Sequence, residues 1–300
     1  MDAKQVAIPI AVLVLSIATL ACTITPRIPD ININVPTVEA GDIREERHTI
    51  PLPEAGSADV RITFGAGRLE MDAGLPDELL AGVFQYNVEQ WAPEITQTGD
   101  ELTIRQGGDR DRWGIPSGNV RNRWDLEFSP QTALTMNIRA GAGEGELDFT
   151  GLQVSALDVD IGAGDFTLRF DEPSTTLMDH ITLDTGASKI AVVGMGNVSP
   201  QKARIQGGVG DIALDLTGNW TRSSDITIRA GAGALRLTLP SDVGVEVETR
   251  GGLTNIEAYD LRQMGSTYTN DAFGSTEVAL HVSITAGVGN LRLIVEGAKE

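Results

Sequence analysis

Two tryptophan phrases carry the densest chemistry in this chain: Arg110-Asp111-Arg112-Trp113 and Arg121-Asn122-Arg123-Trp124-Asp125. With Arg105 they make one basic island on an otherwise acidic chain. An exposed tryptophan flanked by guanidinium groups can stack on a sugar ring. It can also hold an anionic partner by cation–π and bidentate contacts. Trp113, Arg110, Arg112, Arg121 and Arg123 are therefore the candidate binding residues. The alternative is that Trp113 and Trp124 plug one end of a stacked body, because terminal repeats need capping.

Other chemistry is sparse. His48, His180 and His281 lie far apart in sequence, and a metal site needs several converging ligands. Asp158 and Asp160 share one strand face, as in solenoid enzymes that cut acidic polysaccharide. Such enzymes also need basic residues against the substrate, and the repeat face offers few. Gly-x-Gly marks a phosphate loop only when it opens a helix after a strand, and here more strand follows. Gly207-Gly208-Val209-Gly210-Asp211 is close to a calcium-binding nonapeptide, but its aspartate comes one residue early. No nucleophile-elbow phrase is present. No catalytic residue, metal or cofactor is expected.

The glycines that defeat those readings define the architecture. Ile62-Thr63-Phe64-Gly65-Ala66-Gly67-Arg68-Leu69 recurs around Gly141, Gly162, Gly208, Gly231 and Gly287, with a weaker copy at Gly186-Ala187-Ser188. From Gly141 to Gly162, Gly186, Gly208 and Gly231 the steps are 21, 24, 22 and 23 residues. A constant period of that size marks stacked repeats. Counted from the first glycine, apolar residues fall at −5 and −3, as in Ile226 and Ile228, and at +4 and +6, as in Leu235 and Leu237. This is strand alternation with one buried face. From −3 to +4 is an odd number of steps, so a straight strand would turn its second run outward. The corner must absorb one residue, and glycine reaches the backbone angles this needs. The corner glycines are Gly65, Gly67, Gly141, Gly143, Gly162, Gly164, Gly186, Gly208, Gly210, Gly231, Gly233, Gly287 and Gly289. The extra Gly145 reads as a two-residue insertion at the Gly141 corner. The pattern predicts an all-β, solenoid-like stack in which each rung has two short strands and successive copies are neighbours. Residues 75–130 break the rhythm and read as locally paired strands, with a turn of helix at Pro76–Leu80. Asp260–Ser275 reads as a flanking hairpin or loop before the last copy at Gly287.

A net charge of −19 disfavours nucleic acid, since the lysines and arginines that neutralise phosphates are lacking. The only cysteine, Cys22, follows a 16-residue apolar run from Val6 to Ala21. That run resembles a secretory leader with the lipobox of bacterial lipoproteins, which implies lipidation at Cys22. An uncleaved anchor helix over Val6–Ile24 is the alternative, at nearly the ~20 residues a bilayer requires. The expected organisation is a leader at 1–22, a proline-containing tether at 23–46, an N-terminal β domain at 47–170 and a C-terminal β-repeat domain at 171–297.

The phrases Gly41-Asp42-Ile43-Arg44-Glu45-Glu46, Asn122-Arg123-Trp124-Asp125-Leu126 and Leu157-Asp158-Val159-Asp160-Ile161-Gly162-Ala163-Gly164 resemble the toast-rack domain family. Residues 40–170 carry the resemblance. The region 175–297 is similar to the repeat-rich part of LiaF-like envelope-stress proteins and candidate bacterial surface adhesins. The resemblance implies an extracytoplasmic, envelope-anchored, non-catalytic protein working in interaction, adhesion or scaffolding. Its partners would be the membrane, through the N-terminal lipid or helix, and an envelope glycan or protein. A sensor of envelope stress is the alternative, and a polysaccharide-active β-helix enzyme the second.

Overall fold

The computed structural model describes residues 37–108, 115–117 and 119–298. Along the chain the strands are β1 (Thr37–Glu39), β2 (Arg44–Pro51), β3 (Ser57–Ala73), β4 (Glu78–Tyr86), β5 (Pro93–Thr98), β6 (Glu101–Gln106), β7 (Ile115–Ser117) and β8 (Asn122–Phe128). They continue with β9 (Ala133–Asp148), β10 (Gln153–Arg169), β11 (His180–Val193), β12 (Lys202–Asp215) and β13 (Ser224–Leu239). The last are β14 (Gly244–Tyr259), β15 (Arg262–Met264), β16 (Thr267–Thr269) and β17 (Ala279–Val295). One 15-stranded sheet holds all of them except β1 and β7, which pair in parallel with each other. Among the described residues no helix is long and apolar enough to cross a membrane.

The expected all-β solenoid-like stack is present. Its rungs are parallel and in register in the order β3, β9, β10, β11, β12, β13, β17, β14. Each rung is one continuous strand of 14 to 17 residues bent at its glycine corner, not two separate strands. Both arms bury the same side. Ile226 and Ile228 before the corner, and Leu235 and Leu237 after it, are at most 3% exposed.

The bend has a local cause. The second corner glycine takes φ +132° at Gly67, +139° at Gly143 and +142° at Gly233, a region closed to side chains. A Cβ on Gly233 would also fall on the carbonyl oxygen of Gly210, one rung away. The corners thus stack backbone on backbone, at the ~4.8 Å strand spacing.

Three expectations need correction. The Gly141 corner carries no insertion: Gly145 pairs with Leu69 and Phe166, and Leu147 with Met71 and Leu168. Gly145 therefore occupies the inward +4 place, and the Phe166 ring fills the room its missing side chain leaves. Pro76–Leu80 is not helical; a turn at 76–77 leads directly into β4, because Leu79 and Leu80 are both drawn into the core. Successive rungs are neighbours at every step but one, from β13 to β14. There β17, last in sequence, lies between β13 and β14. The intact Gly287-Val288-Gly289 corner fits the column between neighbours. The degenerate Gly251–Leu253 corner shifts register twice against β17 and so suits a place with one neighbour.

The ends are closed differently. At the first rung, β6 pairs with one arm of β3 and β8 with the other, and β4 and β2 follow beyond β8. β5 and β6 form a hairpin. Between β6 and β8 the β3 corner has no strand beside it. There the Gln106 Oε1 accepts the Gly65 and Ala66 N–H groups at 2.8 and 3.3 Å, and Asn122 Nδ2 donates to the Ala66 carbonyl at 2.6 Å. At the far end the β15–β16 hairpin, the flank expected of 260–275, covers only the first arm of β14.

Candidate functional site

The basic island is largely occupied by its own neighbours. Trp113, Arg110 and Arg112 lie outside the described residues, as does Cys22. Arg123, on β8, is held between Asp125 at 2.9 Å and Glu70 of β3 at 2.6 Å. Burial pushes the Glu70 carboxyl up, but hydrogen bonds to Arg68 and Asp125 and the charges of Arg123 and Arg68 outweigh it and hold it below its ordinary value. Burial lifts the Asp125 carboxyl, against the pull of Arg123. Arg105 is paired with Glu94. Arg121 donates to the Gln85 Oε1 at 3.0 and 3.2 Å, and its N–H to the Asn87 Oδ1 at 2.7 Å. Trp124 is fully buried, edge-on to Phe64 and Phe84 with centroids 5.1 Å away in both cases. It fills the core beneath the first rungs and offers no ring to a ligand.

Beside that island the outer face is acidic. In-register pairing sets Glu127 of β8 directly beside Asp72 of β3. Burial, and then the charges of Asp148, Glu127, Glu146 and Glu70, raise the Asp72 carboxyl above its usual range. Each histidine sits beside one carboxylate: His48 at 3.2 Å from Glu46, His180 at 3.4 Å from Asp158, His281 at 3.1 Å from Glu246. Among the described residues no three His, Cys, Asp or Glu side chains converge as a metal site.

The feature that sequence reasoning missed is on the outer face of the first arms. Outward positions −6, −4 and −2 of successive rungs form rows. Lys202 pairs laterally with His180 and Asp225, Arg204 with Thr182 and Thr227, and Arg229 with Gln206. Lys202, Arg204 and Arg229 line one open groove of about 430 Å³ with His180, Thr182, Asp225 and Thr227. Among the described residues none of these three cations has a side-chain hydrogen bond or ion pair. Elsewhere the guanidinium groups are mostly matched: Arg44 with Glu89, Arg61 with Glu101, Arg169 with Glu146, Arg250 with Glu248, Arg262 with Asp271 and Arg292 with Glu257. The repeat face, expected to offer few basic residues, gathers three of them from two adjacent rungs, β12 and β13. The signal was available: aligning the copies on their first glycine puts Lys202, Arg204 and Arg229 on the same outward parity.

A profile of the family described as the N-terminal domain of toast_rack, DUF2154, matches residues 39–193 and again 174–238. The chain belongs to the toast-rack family. Similar solved structures include a candidate cell adhesion protein from Clostridium sporogenes, 20% identical, covering 85% of this chain and 100% of that one at a TM-score of 0.46. A candidate adhesin from Bacteroides fragilis is 10% identical over 86% of this chain and 100% of that one, at 0.40. One from Parabacteroides distasonis is 9% identical with the same coverage, at 0.38. No curated protein matches the chain.

Proposed function

We propose that this toast-rack protein is a non-catalytic binding module of the cell envelope, working in interaction, adhesion or scaffolding. Lipidation of Cys22 would hold it at the membrane, the residues between Cys22 and β2 would space it from the surface, and the stack would present its outer faces. The observation that carries the reading is the groove of unmatched cations on a surface whose other guanidinium groups are mostly paired with the protein's own carboxylates. Charge left free on a rigid sheet is available to a partner; charge locked in a pair is not. The groove contains no nucleophile held by a base and oriented by a third group, the arrangement covalent catalysis requires.

Cells expressing the full chain should label with palmitate, display it to externally added antibody, and bind surfaces or partner cells in its presence. A Cys22→Ser chain should lose both label and retention. Unchanged adhesion on deleting the gene, with the protein shown at the surface, would refute the adhesive role. Palmitate label persisting in Cys22→Ser would refute the anchor.

A further inference from the structure

We infer that the groove across β11, β12 and β13 binds a linear acidic glycan, with Arg204 and Arg229 on its carboxylates; this rests on the reading of the protein as a binding module.

Spacing is the first argument. Lys202 and Arg204 are two residues apart on one strand, about 6.6 Å by strand rise, and Arg229 lies one strand and two residues further, about 8 Å away. The cations thus fall on a diagonal of discrete charges across a groove of about 430 Å³. That volume is in the range of small-ligand pockets, roughly 300–1,000 Å³. It accommodates a short stretch of a polymer lying over the sheet.

Chemistry is the second. The Thr182 and Thr227 hydroxyls stand on either side of Arg204, and neither has a hydrogen-bonding partner among the described residues. The Asp225 carboxylate and the His180 ring complete the lining. Hydroxyls, one carboxylate and guanidinium forks serve a ligand that carries both hydroxyl groups and separated carboxylates. A uniformly charged polyphosphate meets Asp225 inside the groove, and Asp158, Asp160 and Asp184 on the neighbouring rungs. An acidic peptide would need its main chain satisfied, usually at a sheet edge. Here the backbone groups of β12 are already used by β11 and β13 on its two sides.

The test uses the full-length chain in detergent micelles, titrated calorimetrically with oligogalacturonate, and separately with dextran, poly-L-glutamate and polyphosphate. Oligogalacturonate should bind, more weakly as salt rises, and dextran should not. The double variant Arg204→Glu with Arg229→Glu should weaken binding at least about tenfold. Arg139→Glu, on the same face but outside the groove, should leave it unchanged. Circular dichroism confirms that both variants are folded. Absence of oligogalacturonate binding, or equal binding by the double variant, overturns the assignment. Tighter binding of poly-L-glutamate or polyphosphate with the same arginine dependence overturns the glycan class. Neither result touches cell adhesion, which is read on displayed protein and can persist when the groove is reversed.

Discussion

Two grooves on the same outer face are built alike and charged differently. The first lies over β3 and β9, lined by Asp59, Arg61, Thr63, Thr135, Asn137 and Arg139, with about 400 Å³ of open space. The second, over β11 to β13, is nearly equal in size. In the first, Arg61 is taken by Glu101 of the capping strand β6. In the second, no strand beyond the ladder supplies a carboxylate. The contrast separates two jobs within one sheet. Strands added at the amino-terminal end close the stack and neutralise its surface; the regular middle rungs leave side chains free. Exposed pairs such as Arg61–Glu101 contribute little to stability, about 0–1 kcal/mol, so their main effect is to withdraw charge from recognition.

Breaking a middle rung should have the largest effect. Gly233→Val combines a positive φ with a Cβ on a neighbouring carbonyl, and should cost more than about 4 kcal/mol or abolish folding, read by urea unfolding. Gly265 provides the control. It also has a positive φ, +63°, but nothing within 4 Å, so Gly265→Ala should cost only about 1–2 kcal/mol. Equal effects would dissolve the distinction between corner column and surface turn. Leu235→Asp buries an unpaired charge in the same rung and should be comparably severe.

The amino-terminal end should respond more mildly. Gln106→Ala strips the acceptor from two solvent-accessible corner N–H groups and should lower stability by about 0.5–1.5 kcal/mol. A larger loss would mean that the two side-chain bonds do more than replace a missing strand at this corner. The smallest stability effects belong to surface charge. Asp72 has a folded-state carboxyl raised by burial and by its acidic neighbours, so its ionised form costs stability above that raised value. Falling pH relieves the cost. Asp72→Asn should therefore raise the melting temperature slightly at neutral pH, and the advantage should vanish in acid, where the wild-type carboxyl is protonated. Arg204→Glu, with no internal partner to lose, should move stability by less than about 0.5 kcal/mol.

The repeat was readable because one chemical constraint recurs. A missing Cβ is visible in every copy, and the parity argument across Gly231 located both Ile228 and Leu235 in the core. Gly145 was misread because spacing alone cannot say whether a glycine lengthens a corner or makes room for a ring on the next rung. Pro76–Leu80 was misread because local propensity yields where Leu79 and Leu80 are drawn inward. Trp124 and Arg123 look like a binding pair in the one-dimensional order. Their partners Phe64, Phe84 and Glu70 come from other strands, so their burial and pairing were hidden. The groove cations were hidden for the opposite reason: Arg204 and Arg229 are 25 residues apart in the chain and unremarkable singly.

The position of β17 bears on how the protein is made. β14 ends at Tyr259 and β17 begins at Ala279, yet β17 occupies the seat against β13. A ribosome working from the amino terminus exposes the free edge of β13 while only β14 exists to cover it. β14 therefore gains its native neighbour on the side of the stack only once β17 has been made. The carboxyl-terminal strand acts as a keystone, and synthesis halted before residue 279 leaves a body whose last two courses cannot be laid in their final order.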